Sequence, residues 1–286
     1  MENVSIRKLP KSEVEILLTI PWEEIKKTYD EVIEKAGKTT PVKGFRNGKA
    51  PKKIVEENLD KQKVYSEVLQ QIIAKYYQNA ISQNNLNPIT SPKISLVSAQ
   101  EGKDWEIKIL FGEKPKIELG NYKNELSKIN KSTSIWIPGK DEIETEEEKK
   151  KKTDDKVQNI IKWLLENIKA DVPEILLDEE VNLRLSELID QTQKLGMTIE
   201  QYLASSGKTA DELKAVYRKQ AEELWQMEFI LGEVSETEKI QVDNKDIDEV
   251  ILKAKTEEER KSLESQRYFL ASLLRRQKTL DFLTKL

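Results

Sequence analysis

Between residues 43 and 53 the chain gathers five cations, Lys43, Arg46, Lys49, Lys52 and Lys53, with no acidic residue among them. In a protein whose formal net charge is -4 this is a local reversal of sign, and it suits contact with a polyanion. The centre of the stretch reads Gly44-Phe45-Arg46-Asn47-Gly48-Lys49-Ala50-Pro51. Glycine and lysine placed this way invite comparison with a nucleotide-binding P-loop, Gly-x-x-x-x-Gly-Lys followed by Ser or Thr. Here three residues separate Gly44 from Gly48, and Ala50 stands where the magnesium-binding hydroxyl belongs. The backbone cradle and the metal ligand are both missing, so nucleotide binding is set aside. A basic loop can also be merely solvated, since charged loop residues usually face water. Phe45 weighs against that reading: a large ring between Gly44 and Arg46 gains nothing in water and marks a contact surface. The expected chemistry is docking, with an apolar plug between cations and no bond made or broken.

Other chemistries are excluded by what the chain lacks. Without cysteine there are no disulfides, thiolate zinc sites or cysteine nucleophiles. Without histidine, the commonest general base and metal ligand is gone, and Ser-His-Asp and Cys-His catalysis with it. Acidic pairs such as Glu179-Glu180 are best taken as solvated helix faces or helix-start acids, because no histidine or glycine-rich frame accompanies them. No catalytic residue, metal site or cofactor is expected. The amino terminus, Met1-Glu2-Asn3-Val4-Ser5, lacks the apolar core of a signal peptide, and no apolar run approaches the roughly 20 residues that cross a bilayer. A cytoplasmic protein with no membrane partner is expected.

At 286 residues the chain can form two domains, each with its own core. Charged residues at 35% and aromatics at 6% suit long solvated helices. Residues 1–118 read as a mixed domain. Val14, Ile16, Leu18 and Ile20 alternate as in a half-buried strand, and Pro21 then opens a helix carrying Trp22, Ile25, Tyr29, Val32 and Ile33. After the basic loop, Pro51 enters a second, long helix with a stripe running from Val64 through Ile72 and Tyr76 to Ile81. Ile94 to Val97, and Trp105, Ile107, Ile109 and Phe111, read as two further strands around a turn at Gly102. That order predicts an α+β domain whose two helices cover one sheet face and hold the basic loop between them. Residues 119–155, with a turn signal at Pro138-Gly139 and a glutamate run followed by lysines, read as a charged linker. Residues 156–286 read as all helix: Val157, Ile160, Ile161, Leu164, Leu165 and Ile168 keep the i, i+3, i+4 rule. Pro173 restarts the helix, Thr198 and Thr209 are N-caps, Gly196 and Gly207 are stops, and a long final helix starts at Glu257.

The helix from Thr209 to Val234 has more apolar surface than one seam needs. At about 100° per residue, Leu213, Val216, Tyr217, Leu224, Met227 and Leu231 share one side, whereas Trp225, Phe229 and Ile230 lie off it. Either a neighbouring helix covers the second side, or that side lines an open surface for unfolded chain.

The loop resembles the docking signature of the trigger factor family, Gly-Phe-Arg-x-Gly-Lys-x-Pro, and every fixed position is present. Ile20-Pro21-Trp22 with Tyr29 resembles the family's first helix, and Ile54-Val55-Glu56-Glu57 its second. Asp171-Val172-Pro173-Glu174 and Leu177-Asp178-Glu179-Glu180 resemble the start of its carboxy-terminal helical domain. The resemblance implies an α+β ribosome-binding domain over 1–118, followed by an all-α chaperone domain with extended helical arms over 156–286. It implies an ATP-independent chaperone, ribosome-associated in the cytoplasm, that docks at the exit tunnel and shields nascent polypeptides. Docking would fall to Gly44, Phe45, Arg46, Asn47, Gly48, Lys49 and Pro51, with Lys43, Lys52 and Lys53 in support. A basic residue is common at the place of Asn47, so one charge is lost. Client contact would fall to Trp225, Met227, Phe229 and Ile230. The partners implied are a tunnel-exit protein, rRNA, unfolded chains and, for the free protein, a second copy as a homodimer. The family usually inserts an FK506-binding-protein-like prolyl isomerase domain of on the order of 100 residues. Fewer than 40 residues are available at 119–155, so that domain is expected to be absent. Two alternatives stay open: a prolyl isomerase with an unrecognised site in 119–155, and an RNA-binding or assembly-scaffold protein using the same loop.

Overall fold

The computed structural model describes residues 4–39, 45, 50–132 and 146–286. They form two compact units, residues 1–114 with 173–176, and residues 115–172 with 177–286.

The first unit is built on a four-stranded antiparallel sheet in the order β1-β2-β4-β3: β1 (Val4–Leu9), β2 (Glu13–Ile20), β3 (Lys93–Ser98) and β4 (Trp105–Gly112). Every inward residue of β2 stands opposite an inward residue of β4: Val14 with Phe111, Ile16 with Ile109, Leu18 with Ile107 and Ile20 with Trp105. All eight are buried. On this face lie α1 (Trp22–Thr39), through Ile25, Val32 and Ile33, and α3 (Lys61–Asn84), through Val64, Val68 and Ile72. The Asp104 carboxylate accepts the Trp22 backbone N–H at 2.9 Å, meeting an unpaired donor and the positive end of the helix dipole. The Glu24 carboxylate accepts from Lys75 Nζ and the Tyr76 hydroxyl, at 2.7 and 2.6 Å, and fastens α1 to α3.

Two expectations change here, and the sheet edge has a feature of its own. A first strand, β1, precedes the one expected; its hairpin turns through Lys11 and Ser12, both at positive φ, with none of the glycine or asparagine that usually announces such a turn. The single long helix expected after Pro51 is two, α2 (Lys52–Asn58) and α3, because Leu59 is extended and Asp60 caps a new start, its carboxylate accepting from Gln62 N at 3.0 Å. At the sheet edge, β3 carries an irregularity between Leu96 and Ser98, and its Ile94 and Leu96 are half exposed although they pair with the buried Ile109 and Ile107.

The second unit is helical: α4 (Tyr122–Ser132), α5 (Glu146–Asn167), α6 (Glu174–Lys194, whose first turn counts with the first unit), α7 (Ile199–Ser206), α8 (Ala210–Thr237), α9 (Asn244–Leu252), α10 (Glu257–Ser265) and α11 (Arg267–Thr284). Its main core joins Tyr122 and Leu126 to Ile160, Leu164, Ile230, Leu231, Val234 and Leu283. The buried Asn130 donates to the Leu283 carbonyl at 3.0 Å, tying α4 to α11. Gln226 of α8 donates to the carbonyls of Leu165 and Ile168, at 3.0 and 2.8 Å, where the end of α5 leaves them without helical partners. Thr198 and Thr209 head full capping boxes, and Gly196 and Gly207 take positive φ at the helix ends. The final helix expected from Glu257 is interrupted at Gln266 and becomes α10 and α11. Of residues 119–155, expected as a linker, α4 contributes Tyr122 and Leu126 to this core, and 133–145 lie outside the described residues.

The Glu238 carboxylate is held below its ordinary value of 4.5 by the Lys123 ammonium first and the Tyr122 hydroxyl second, accepting from them at 2.7 and 2.8 Å. A carboxyl whose pKa is lowered by folding contributes stability in full above its unfolded value and loses it as pH falls through the folded one. Tyr122→Phe is therefore expected to cost about 1 kcal/mol at neutral pH. It should also flatten the loss of stability below pH 4.5, as read from urea melts across an acid pH series.

Candidate functional site

The basic loop leaves α1 and returns through α2, and these two stems are joined side by side. The Tyr29 hydroxyl donates to Glu56 Oε1 at 2.9 Å, and Lys52 Nζ donates to Asp30 Oδ1 at 2.5 Å. Burial, and then the hydrogen bond to Glu56, push the Tyr29 phenol well above its ordinary value of 10.0, so it stays a neutral donor at any physiological pH. Its ring stacks at 5.2 Å on Tyr65, which meets Trp105 of β4 at 5.7 Å. The α2 stem is thus braced through aromatic contacts to the sheet. Pro51 precedes α2 with φ -58, and its carbonyl accepts from Ile54 and Val55, at 2.9 and 3.1 Å, starting the helix without a side-chain cap.

Phe45 is 41% exposed. Gly44, Arg46, Asn47, Gly48 and Lys49, expected to dock beside it, and Lys43, expected to support them, lie outside the described residues. Pro51 is exposed. Of the remaining supporting cations, Lys52 is engaged by Asp30, whereas Lys53 is exposed and has no ion-pair partner among the described residues. The groove between α1 and α2 is lined by Glu23, Asp30, Glu31 and Glu34 and, in equal number, by Lys26, Lys27, Lys38 and Lys52. The excess of positive charge therefore belongs to the stretch from Lys43 to Lys53 and not to the groove between the stems. At a Debye length of about 8 Å in physiological salt, only a partner that approaches the loop itself feels it.

The apolar surplus of α8 divides differently from the sequence expectation. Ile230 is fully buried in the main core and Phe229 is buried beside it, so neither stands open as a client contact. The reason is that α5 and α11 both pack on the carboxy-terminal half of α8, where two sides are needed as seams. Trp225 and Met227 are half buried, Trp225 stacking on Phe229 at 5.9 Å and Met227 packing at the margin of the core. The exposed large apolar side chains of α8 are Val216 and Leu224, which share a side with the buried Leu213 and Leu231. Elsewhere in the second unit Tyr268, at 92% exposure, Phe269, Leu252 and Leu195 also face outward. A local signal for the first two was present: in Tyr268-Phe269-Leu270 successive residues turn by about 100°, so the burial of Leu270 sends its neighbours off the seam.

Ile230→Ala should cost about 2–5 kcal/mol, whereas Leu224→Ala and Phe45→Ala should each stay within about 0.5 kcal/mol of the parent. Denaturant midpoints at constant slope read both.

Comparison with known proteins agrees with this arrangement. A family model described as bacterial trigger factor protein matches residues 2–164, and a model of the trigger factor carboxy terminus matches residues 140–285. The two overlap and leave no stretch between them for an inserted isomerase domain, and none is matched. The trigger factor of Desulforudis audaxviator is 31% identical over 122 residues, 43% of this chain and 28% of that protein. That of Caldanaerobacter subterraneus subsp. tengcongensis is 33% identical over 128 residues, 44% and 30% of the two chains. That of Lactiplantibacillus plantarum is 30% identical over 136 residues, 47% and 31%. Each match thus spans less than a third of the relative's own length. A solved trigger factor chaperone structure, reported for promiscuous substrate recognition in folding and assembly activities, superposes with a TM-score of 0.61 at 12% identity. The superposition covers 98% of this chain and 99% of that one, a likeness of fold. With an α+β unit bearing the loop, a helical unit after it, and family matches that between them run from residue 2 to residue 285, the chain belongs to the bacterial trigger factor family.

Proposed function

We propose that the chain is an ATP-independent chaperone that docks at the ribosomal exit tunnel and shields nascent polypeptides. The observation that carries this reading is Phe45, an exposed aromatic in a loop whose two stems are fastened to each other and to the sheet. Phe45 enters an apolar spot on a tunnel-exit protein, and Arg46, Lys49 and Lys53 meet acidic side chains or rRNA phosphates. Lys52 contributes less than its charge suggests, because Asp30 already neutralises it. Residues 1–118 serve as the ribosome-binding domain and 156–286 as the client-binding domain. Exposed apolar residues of the helical unit, Val216, Leu224, Leu252, Tyr268 and Phe269, with Trp225 and Met227 at their margin, offer weak, sequence-tolerant contacts to unfolded chain. Tethering at the tunnel makes such contacts effectively intramolecular, which is how individually weak sites hold a client. No bond chemistry is involved. The protein acts in the cytoplasm on ribosomes, and pairing with a second copy is a property of the free form.

The combined variant Phe45→Ala/Arg46→Ala/Asn47→Ala should lose co-sedimentation with ribosomes by about tenfold or more, as expected when the aromatic and arginine anchors of an interface are removed. Its suppression of aggregation of a denatured client in ribosome-free solution should be retained. Unchanged co-sedimentation would sink the docking assignment. Tight binding to naked rRNA with no effect on client aggregation would transfer the chain to the RNA-scaffold class.

A further inference from the structure

One face of α11 is apolar in the middle and cationic at both ends. Arg267, Leu270, Ala271, Leu274 and Lys278 follow the i, i+3, i+4, i+7, i+11 spacing that puts them on a single side, about 16 Å from first to last. The helix that covers this side is α9, nine residues long. Its Ile247 and Ile251 are buried with Leu270 in a small core of their own, with Val250, Ala271 and Leu274 at the margin, apart from the core of Ile160, Ile230 and Leu283. Two ion pairs complete the attachment: Asp246 meets Lys278 at 2.5 Å, and Asp248 meets Arg267 at 2.7 Å. All four charged side chains are partly exposed, and pairs of that kind hold weakly. With little apolar area beneath it and weak pairs beside it, α9 opens locally ahead of the main core.

We infer that α9 is an internal occupant of a client site: it covers the face of α11 to which an unfolded chain binds, and that face selects aliphatic segments bracketed by carboxylates. The inference rests on the chaperone reading of the chain. The occupant reports the chemistry of the site. In Asp246-Ile247-Asp248-Glu249-Val250-Ile251 aliphatic and acidic residues are interleaved, and they meet an apolar stripe with Arg267 at one end and Lys278 at the other. A client segment with the same pattern satisfies the same groups, its apolar side on Leu270 and Leu274 and its carboxylates on the two cations. Such a segment displaces α9, and its apparent affinity is the intrinsic one reduced by the fraction of molecules in which α9 has left. Tyr268 and Phe269, open in the same turn as Leu270, add contact area for the incoming chain. Between clients α9 keeps Leu270 from water, so the molecule exposes less apolar surface than it can offer.

Two variants of the full chain break the same ion pair and tell an occupant from a strut. Asp248→Asn loosens α9 and leaves Arg267 free for a client's acid, whereas Arg267→Gln loosens α9 equally and removes that acid's partner. The probe is a fluorescein-labelled peptide with the sequence of residues 243–252, followed by anisotropy beside the same peptide with lysine in place of Asp246 and Asp248. Asp248→Asn should tighten binding of the acidic peptide about two- to fivefold, the range an exposed ion pair allows. Arg267→Gln should leave it no tighter than in the parent, and the lysine peptide should bind more weakly throughout. In hydrogen exchange, saturating acidic peptide should speed the amides of residues 244–252 while those of 267–278 stay protected. The inference is overturned if the two variants shift binding alike, if the parent binds neither peptide or prefers the lysine one, or if α9 exchange is unmoved at saturation. Suppression of aggregation of a denatured client by the parent is measured alongside. If there is none, the chaperone reading itself is lost; if there is suppression while α9 stays closed, only the assignment of α9 is lost.

Discussion

The register between β2 and β4 is the constraint on which the first unit depends. Val14, Ile16, Leu18 and Ile20 each face an apolar partner on β4, and the α1 and α3 residues buried with them have no other core to join. Because side chains alternate between faces, a slip of one residue would turn all four to the other side and leave both helices without a seat. Everything that positions the loop follows from this. Trp105 belongs to the pairing and ends the aromatic chain that runs through Tyr65 to Tyr29, and Tyr29 holds α2 through Glu56. Phe45 can remain exposed because the burial needed for stability is supplied elsewhere.

Much of this was legible in the residues. The period-two run from Val14 to Ile20 and the alternation from Trp105 to Phe111 identified the two central strands, because both bury one face completely. Thr198 and Thr209 identified helix starts, because a hydroxyl followed by Gln201 or Glu212 three residues on satisfies two backbone donors at once. The basic loop stands out through chemistry more than shape, as an aromatic among cations with the spacing of a phosphate loop missing. Three elements were hidden for physical reasons. β1 buries too little to impose a clean alternation, and its turn forces Lys11 and Ser12 into a conformation that their side chains do not advertise. The break at Leu59 costs only one extended residue, and apolar periodicity runs across it. The interruption at Gln266 likewise has neither glycine nor proline to mark it.

The division of α8 into core and surface was not legible, and could not be. A helix's own periodicity shows how many sides are apolar, whereas which of them is covered depends on where other helices arrive. Here α5 and α11 take the turns around Ile230 and leave Val216 and Leu224 exposed nearer the amino terminus. The same holds for Lys52, whose charge counts toward a polyanion surface until Asp30 is found beside it. Patterns within one element report its preferences, and its occupancy is settled by neighbours distant in sequence.

The irregularity in β3 has a meaning for how the protein keeps its own company. An edge strand with half-exposed Ile94 and Leu96 is a natural template for a stray strand from another chain. The extra residue at Val97 breaks the even spacing of hydrogen-bonding groups on which an incoming strand would zip, and Lys93 sets a charge at the other end. In β3, apolar area stays open to brief contact while the backbone ladder that would make contact permanent is interrupted.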